Sequence, residues 1–80
     1  MTIMTEQARN LILEHCREND LPMTEVDLDR PLVDLDLDSL DRLEIIQMLE
    51  REFQVKADKQ EVMALETLNG FVSYFAALTR

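Results

Sequence analysis

One cysteine, one glycine, two prolines and no tryptophan leave this 80-residue chain short of the residues that staple or turn a small fold. A single cysteine, Cys16, excludes an internal disulfide and fits a reducing, cytoplasmic setting. So few glycines and prolines argue against a turn-rich β architecture and for long helices. No apolar run reaches the roughly 18 residues that a membrane-spanning helix requires. The start, Met1-Thr2-Ile3-Met4-Thr5-Glu6, lacks the basic and apolar regions of a secretory signal. Positive charge is also scarce: eight Lys and Arg stand against 17 Asp and Glu, for a formal net charge of −9. A field of that sign repels nucleic-acid phosphate and anionic lipid, and it suits a basic protein partner. It also keeps a small protein soluble and monomeric.

What is present is a folding sequence. Hydrophobic residues make up 46%, which separates the chain from a disordered tail. Its length predicts one domain over residues 1–80, with a thin core. A first helix is expected from a Thr5 N-cap, with Ala8, Leu11, Ile12 and His15 or Cys16 on its apolar face. Asn19-Asp20 and Pro22 end it. Residues 19–37 form a long connection whose Leu21, Val26, Leu28, Leu32 and Leu35 recur too regularly for free exposure. It reads as a loop laid over the core with one short helical turn.

The second helix is expected from Ser39 to Phe53. Asp38 is its N-cap, Asp41 completes a capping box, and Ile45, Leu49 and Phe53 line one face. A short helix over Lys59–Ala64 buries Val62, and Thr67 caps a last helix with Leu68, Phe71, Val72, Phe75 and Leu78 inward. The fold class is therefore all-α: three longer helices plus one short helix, with a long loop between the first and second.

The acidic stretch from Pro31 to Leu40 invites three chemistries. Asp34, Asp36 and Asp38 have the spacing that opens a helix-loop-helix calcium site, but the sixth position is Ser39, not Gly. The twelfth is Ile45, not Glu. No metal site is therefore expected. A serine nucleophile fails because Ser39 lacks a G-x-S-x-G elbow and the one histidine, His15, has no evident orienting acid. The third is modification: a hydroxyl at a helix start sits where free amides and the helix dipole favour an anion. Spacing alone is met equally well by an ordinary helix-start serine.

The run Leu35-Asp36-Leu37-Asp38-Ser39-Leu40-Asp41, then Leu43-Glu44-Ile45 and Leu49-Glu50-Arg51-Glu52-Phe53, resembles the acyl carrier protein signature. That signature is D-S-L followed by an acidic and apolar helix that closes on a Glu-rich turn and Phe. The likeness continues to Thr67-Leu68, where the family's last helix begins. It implies that Ser39 receives 4′-phosphopantetheine from coenzyme A through a separate, magnesium-dependent phosphopantetheinyl transferase. Asp38 would position coenzyme A and the metal during that transfer. The carrier itself would catalyse nothing, since the thioester chemistry belongs to the arm and the active sites to acyl-transferring, condensing or activating enzymes.

The resemblance further implies a docking surface on the second helix, with Leu40 and Leu43 as apolar contacts and Asp41, Glu44 and Glu50 facing basic patches on partners. It places a sheltering space for an acyl chain among Leu32, Leu49, Val62 and Leu65, which ordinary core packing would bury equally well. The bulk of Phe53, Phe71 and Phe75 predicts little room for a long chain. Asp36 stands where the family usually has Gly. Arg42 and Arg51 put positive charge on a mostly acidic helix, and Gln47 replaces an apolar contact. These departures predict a dedicated carrier for one fatty-acid-like, polyketide or specialised acyl-transfer pathway. The chain ends close to the helical core, so a freestanding protein is expected. Two other readings stand beside this one. An aminoacyl or peptidyl carrier more often has G-G-H-S or G-G-D-S before the helix. An acidic helical adaptor would leave Ser39 unmodified.

Overall fold

The computed structural model describes residues 3–21, 23–35 and 37–78, and it is helical throughout its regular structure. Helix α1 runs Ile3–Glu18, α2 Ser39–Phe53, α3 Lys59–Met63 and α4 Leu68–Leu78. Two 3₁₀ turns, Glu25–Asp29 and Leu32–Asp34, lie between α1 and α2. The all-α class and the order of three longer helices and a short one are as the sequence predicts.

Helix α1 begins two residues before the expected Thr5 cap, because Ile and Met do not stop a helix and a good cap residue does not compel one to start. Ala8, Ile12 and Cys16 recur every four residues and are buried, so one stripe of α1 faces the core. Cys16 is a core residue: burial, then the nearby Asp41 charge, pushes its thiol up from the ordinary value. The helix ends where Asp20 turns left-handed at φ 58°. The Leu21 amide reaches back to the Cys16 carbonyl at 2.8 Å and the Asp20 amide to that of Arg17 at 3.2 Å. Pro22, read as part of this stop, lies outside the described residues.

The long connection is fastened more tightly than its polarity suggests. Thr24 opens the first 3₁₀ turn with a capping box, its amide and hydroxyl donating to the Asp27 carboxylate at 3.0 and 3.1 Å. Leu28 and Leu32 are inserted into the core. The Leu32 amide donates to the Glu66 carbonyl at 2.7 Å, and the Asn69 side-chain amide bonds the Asp29 carboxylate. The sequence predicts one helical turn here, and the structure has two. Val26 departs from its expected inward place and is 75% exposed. A 3₁₀ turn advances about 120° per residue, so Val26 and Leu28 cannot share a face.

Phe71, Phe75, Ile12, Leu28, Ile45, Ile46, Leu49 and Leu68 form the fully buried centre. Helix α4 packs on α1 and the first 3₁₀ turn, and α2 packs on α1 and α3. Leu78, expected on the buried face of α4, sits at the helix end and is partly exposed. Asp58 caps α3 by accepting from the Gln60 and Glu61 amides, and Thr67 Oγ1 accepts from the Gly70 amide at 2.9 Å at the start of α4. Tyr74 ties these two helices together. Its hydroxyl donates to Glu61 Oε1 and accepts from the Asp58 amide, each at 3.1 Å.

Candidate functional site at the start of the second long helix

Leu37 is buried and anchors the chain just before α2. Asp38 follows in extended conformation, at φ −88° and ψ −178°, and the helix begins at Ser39. The capping box expected from the sequence is formed. The Asp41 amide donates to Asp38 Oδ1 at 2.9 Å, and the Asp38 amide donates to Asp41 Oδ2 at 3.3 Å. With its backbone so held, Ser39 is exposed, and its hydroxyl has no hydrogen-bond partner among the described residues. Asp36, where the sequence departs from the family pattern, lies outside the described residues.

The outward stripe of α2 is Leu40, Glu44, Gln47 and Arg51, all exposed, with Leu40 at 63%. Asp41 and Leu43 are half-buried at its margin, and Asp41 already serves the cap. This stripe carries one apolar residue, one acid, one amide and one base, so it is mixed in charge.

Glu50 does not belong with them. Its side chain is 15% exposed, and its carboxylate accepts from the Ala57 amide at 2.8 Å and from Lys59 Nζ at 3.2 and 3.3 Å. The Ala57 amide, more than the Lys59 charge, holds this carboxyl below the usual range. Glu50 therefore joins the end of α2 to the start of α3 and offers no free charge for docking. Leu32, Leu49 and Val62 are buried in the core, and Leu65 packs partly buried against it. Clefts of ≈450 and ≈320 Å³ lie elsewhere, the first lined by Arg17, Asp20, Leu21 and Met23, the second by Leu11, Glu14, Glu52 and Phe53 among others.

His15 is half-buried with Nε2 lacking any hydrogen-bond partner, and it makes no hydrogen bond to Ser39. No group of three or more metal-ligating side chains is gathered among the described residues. Arg42 also departs from its expected place. It is half-buried, not displayed on the docking stripe, and its Nε is buried without a partner. Its spacing of three and four from Ile45 and Ile46 carried that signal.

Two comparisons bear on this geometry. Residues 10–75 match the family model described as "Phosphopantetheine attachment site". An acyl carrier protein of Cyanophora paradoxa is 35% identical over 60 residues, covering 74% of this chain and 58% of that relative. The chain thus matches less than two thirds of the relative's length. A match across most of the helical core, on a fold of this order, makes the chain a member of the phosphopantetheine-attachment family, that of the acyl carrier proteins.

Proposed function

We propose that this chain is an acyl carrier whose Ser39 bears a 4′-phosphopantetheine arm. The observation that supports it most is the exposed, unbonded Ser39 hydroxyl at the first residue of a capped 15-residue helix. The residues suit the group. An incoming phosphate ester at this hydroxyl would sit beside the free amides of a helix start, where anions are stabilised. Asp38 Oδ1 accepts from the Asp41 amide, and Oδ2 has no partner among the described residues, which fits a part in positioning coenzyme A and its metal. Once attached, the arm supplies the thiol that holds an acyl group as a thioester.

The protein's own part is to present and to release. The mixed outward stripe supports docking through Leu40 and Glu44, with Leu43 and Asp41 at the margin. The excess of acid over the whole chain would speed encounter with a basic partner without tightening the complex. Partners of that description are the transferase and enzymes that load, elongate or take the acyl group. Gln47 and Arg51 in the same stripe support a dedicated carrier for one pathway, because a base there repels a partner built for an acidic helix. Among the described residues no helix is long and apolar enough to cross a membrane, and one core serves all of them, which supports a single domain over residues 1–80.

Intact mass tests the reading. Incubation with coenzyme A, magnesium and a broad-specificity transferase is expected to add one phosphopantetheine, and Ser39→Ala to gain none. A folded, initially unmodified protein that gains nothing would leave the unmodified adaptor as the better account.

A further inference from the structure

Arg42 is a cation on the wrong side of its helix. Three and four residues before the fully buried Ile45 and Ile46, it continues the core stripe of α2 toward Ser39. It is half-buried, and its Nε is wholly buried with no hydrogen-bond partner. Nor is it paired: no ion pair joins it to an acid among the described residues. Of the carboxylates close by in sequence, Asp38 and Asp41 each give one oxygen to the other's amide in the capping box, and Glu44 stands on the exposed outward stripe. In a chain with 17 Asp and Glu, a half-buried arginine with no acid partner and a buried, unbonded Nε is a place where an anionic ligand can bind.

Its place suggests which ligand. Residues three apart on a helix have Cβ atoms only about 5–6 Å apart, so Arg42 is a lateral neighbour of Ser39. Helical side chains lean toward the N-terminus, which carries a long side chain at position 42 over the turn that begins with Ser39. We propose that Arg42 holds the phosphodiester through which the arm is joined to Ser39. This rests on the reading of Ser39 above. A guanidinium suits the task because it presents several donors in one plane to phosphate oxygens. Each residue turns the helix by about 100°, so Arg42 lies to one side of Ser39 and Leu40 to the other. The root of the arm is then held toward the core side of α2, and the Leu40–Glu44 stripe stays clear for a partner. Arg42, which looks like a charge misplaced on a docking face, becomes a positioning residue for the cofactor.

The test uses full-length protein before and after loading, with intact mass confirming one phosphopantetheine. In nitrogen-proton spectra the Arg42 Nε–H signal is expected to shift and to exchange more slowly with water after loading. The phosphorus resonance of the loaded protein is expected to move in Arg42→Gln, to move less in Arg42→Lys, and to stay in place in Arg51→Gln. A protein that loads normally, yet shows an unchanged Arg42 signal and a phosphorus resonance indifferent to Arg42→Gln, would overturn the inference and leave the carrier reading standing. A protein that takes up no phosphopantetheine would overturn both. The comparison of unloaded and loaded wild type needs no variant to fold.

Discussion

The two ends of α2 are built for opposite purposes. At its C-terminal end the polar groups that face α3 are used. Glu50 binds the Ala57 amide and Lys59, Gln54 turns left-handed at φ 54°, and the Val55 amide reaches back to the Glu50 carbonyl at 3.1 Å. At the N-terminal end the Asp38–Asp41 box engages the Asp38 and Asp41 amides, while the Ser39 hydroxyl and the Arg42 Nε lack partners. One helix thus closes the architecture at one end and keeps unspent bonding capacity at the other. A site that must accept a group cannot have its donors and acceptors already engaged, whereas a junction between helices must.

Substitutions along α2 sharpen that contrast. Leu49→Ala removes a fully buried side chain beneath both ends and is expected to cost about 2–5 kcal/mol in urea unfolding. Against a total of roughly 5–15 kcal/mol for a small domain, that loss is large enough to weaken both ends together. Glu50→Ala leaves the buried Ala57 amide without its acceptor, for about 1–3 kcal/mol. Loading of Ser39, some 16 Å away along the helix, is expected to proceed at the wild-type rate. A variant equally poor in stability and in loading would erase the division between the ends.

Asp38→Ala removes the cap and is expected to cost about 0.5–2 kcal/mol, with slower loading as the separate signature of the open end. Gln54→Gly relieves a left-handed residue that has a Cβ. It is expected to raise stability by about 1 kcal/mol or less, partly offset by the added freedom of the unfolded chain.

Acid titration separates the ends by charge. Glu50 is held low by the Ala57 amide and then by Lys59, and Asp27 by the Thr24 amide and then by Arg30. Carboxyls whose folded pKa lies below the unfolded one stabilise the fold above the ordinary value, about 4.3 for Glu. That contribution is lost as pH falls through the lower, folded values. Stability is expected to drop on acidification below about pH 4.3. In Glu50→Gln the drop is expected to be shallower, from a lower starting stability.

The sequence made α2 legible because its signals are local: Asp38 and Asp41 are three apart, and Ile45, Ile46 and Leu49 keep helical spacing. The helix after Thr67 was legible for the same reason. What escaped was set by neighbours distant in the chain. Glu50 looks like a surface acid until Ala57 and Lys59 fold back to it across the α2–α3 junction. Val26 fits an apolar pattern until the pitch of a 3₁₀ turn rotates it outward. Arg42 reads as surface charge because charge is usually outside, although its spacing from Ile45 and Ile46 placed it inward. Ser39 was identified by its D-S-L setting and by resemblance. Its exposure and unbonded hydroxyl leave it open to modification, and chemistry at the hydroxyl is the test of that choice.

The most direct measurement is fragment mapping of the transferase-loaded protein by tandem mass spectrometry. The chain has two serines, Ser39 at the open start of α2 and Ser73 within α4. The account predicts the whole phosphopantetheine mass on the fragment that contains Ser39. Modification at Ser73, or none on folded protein, would contradict it.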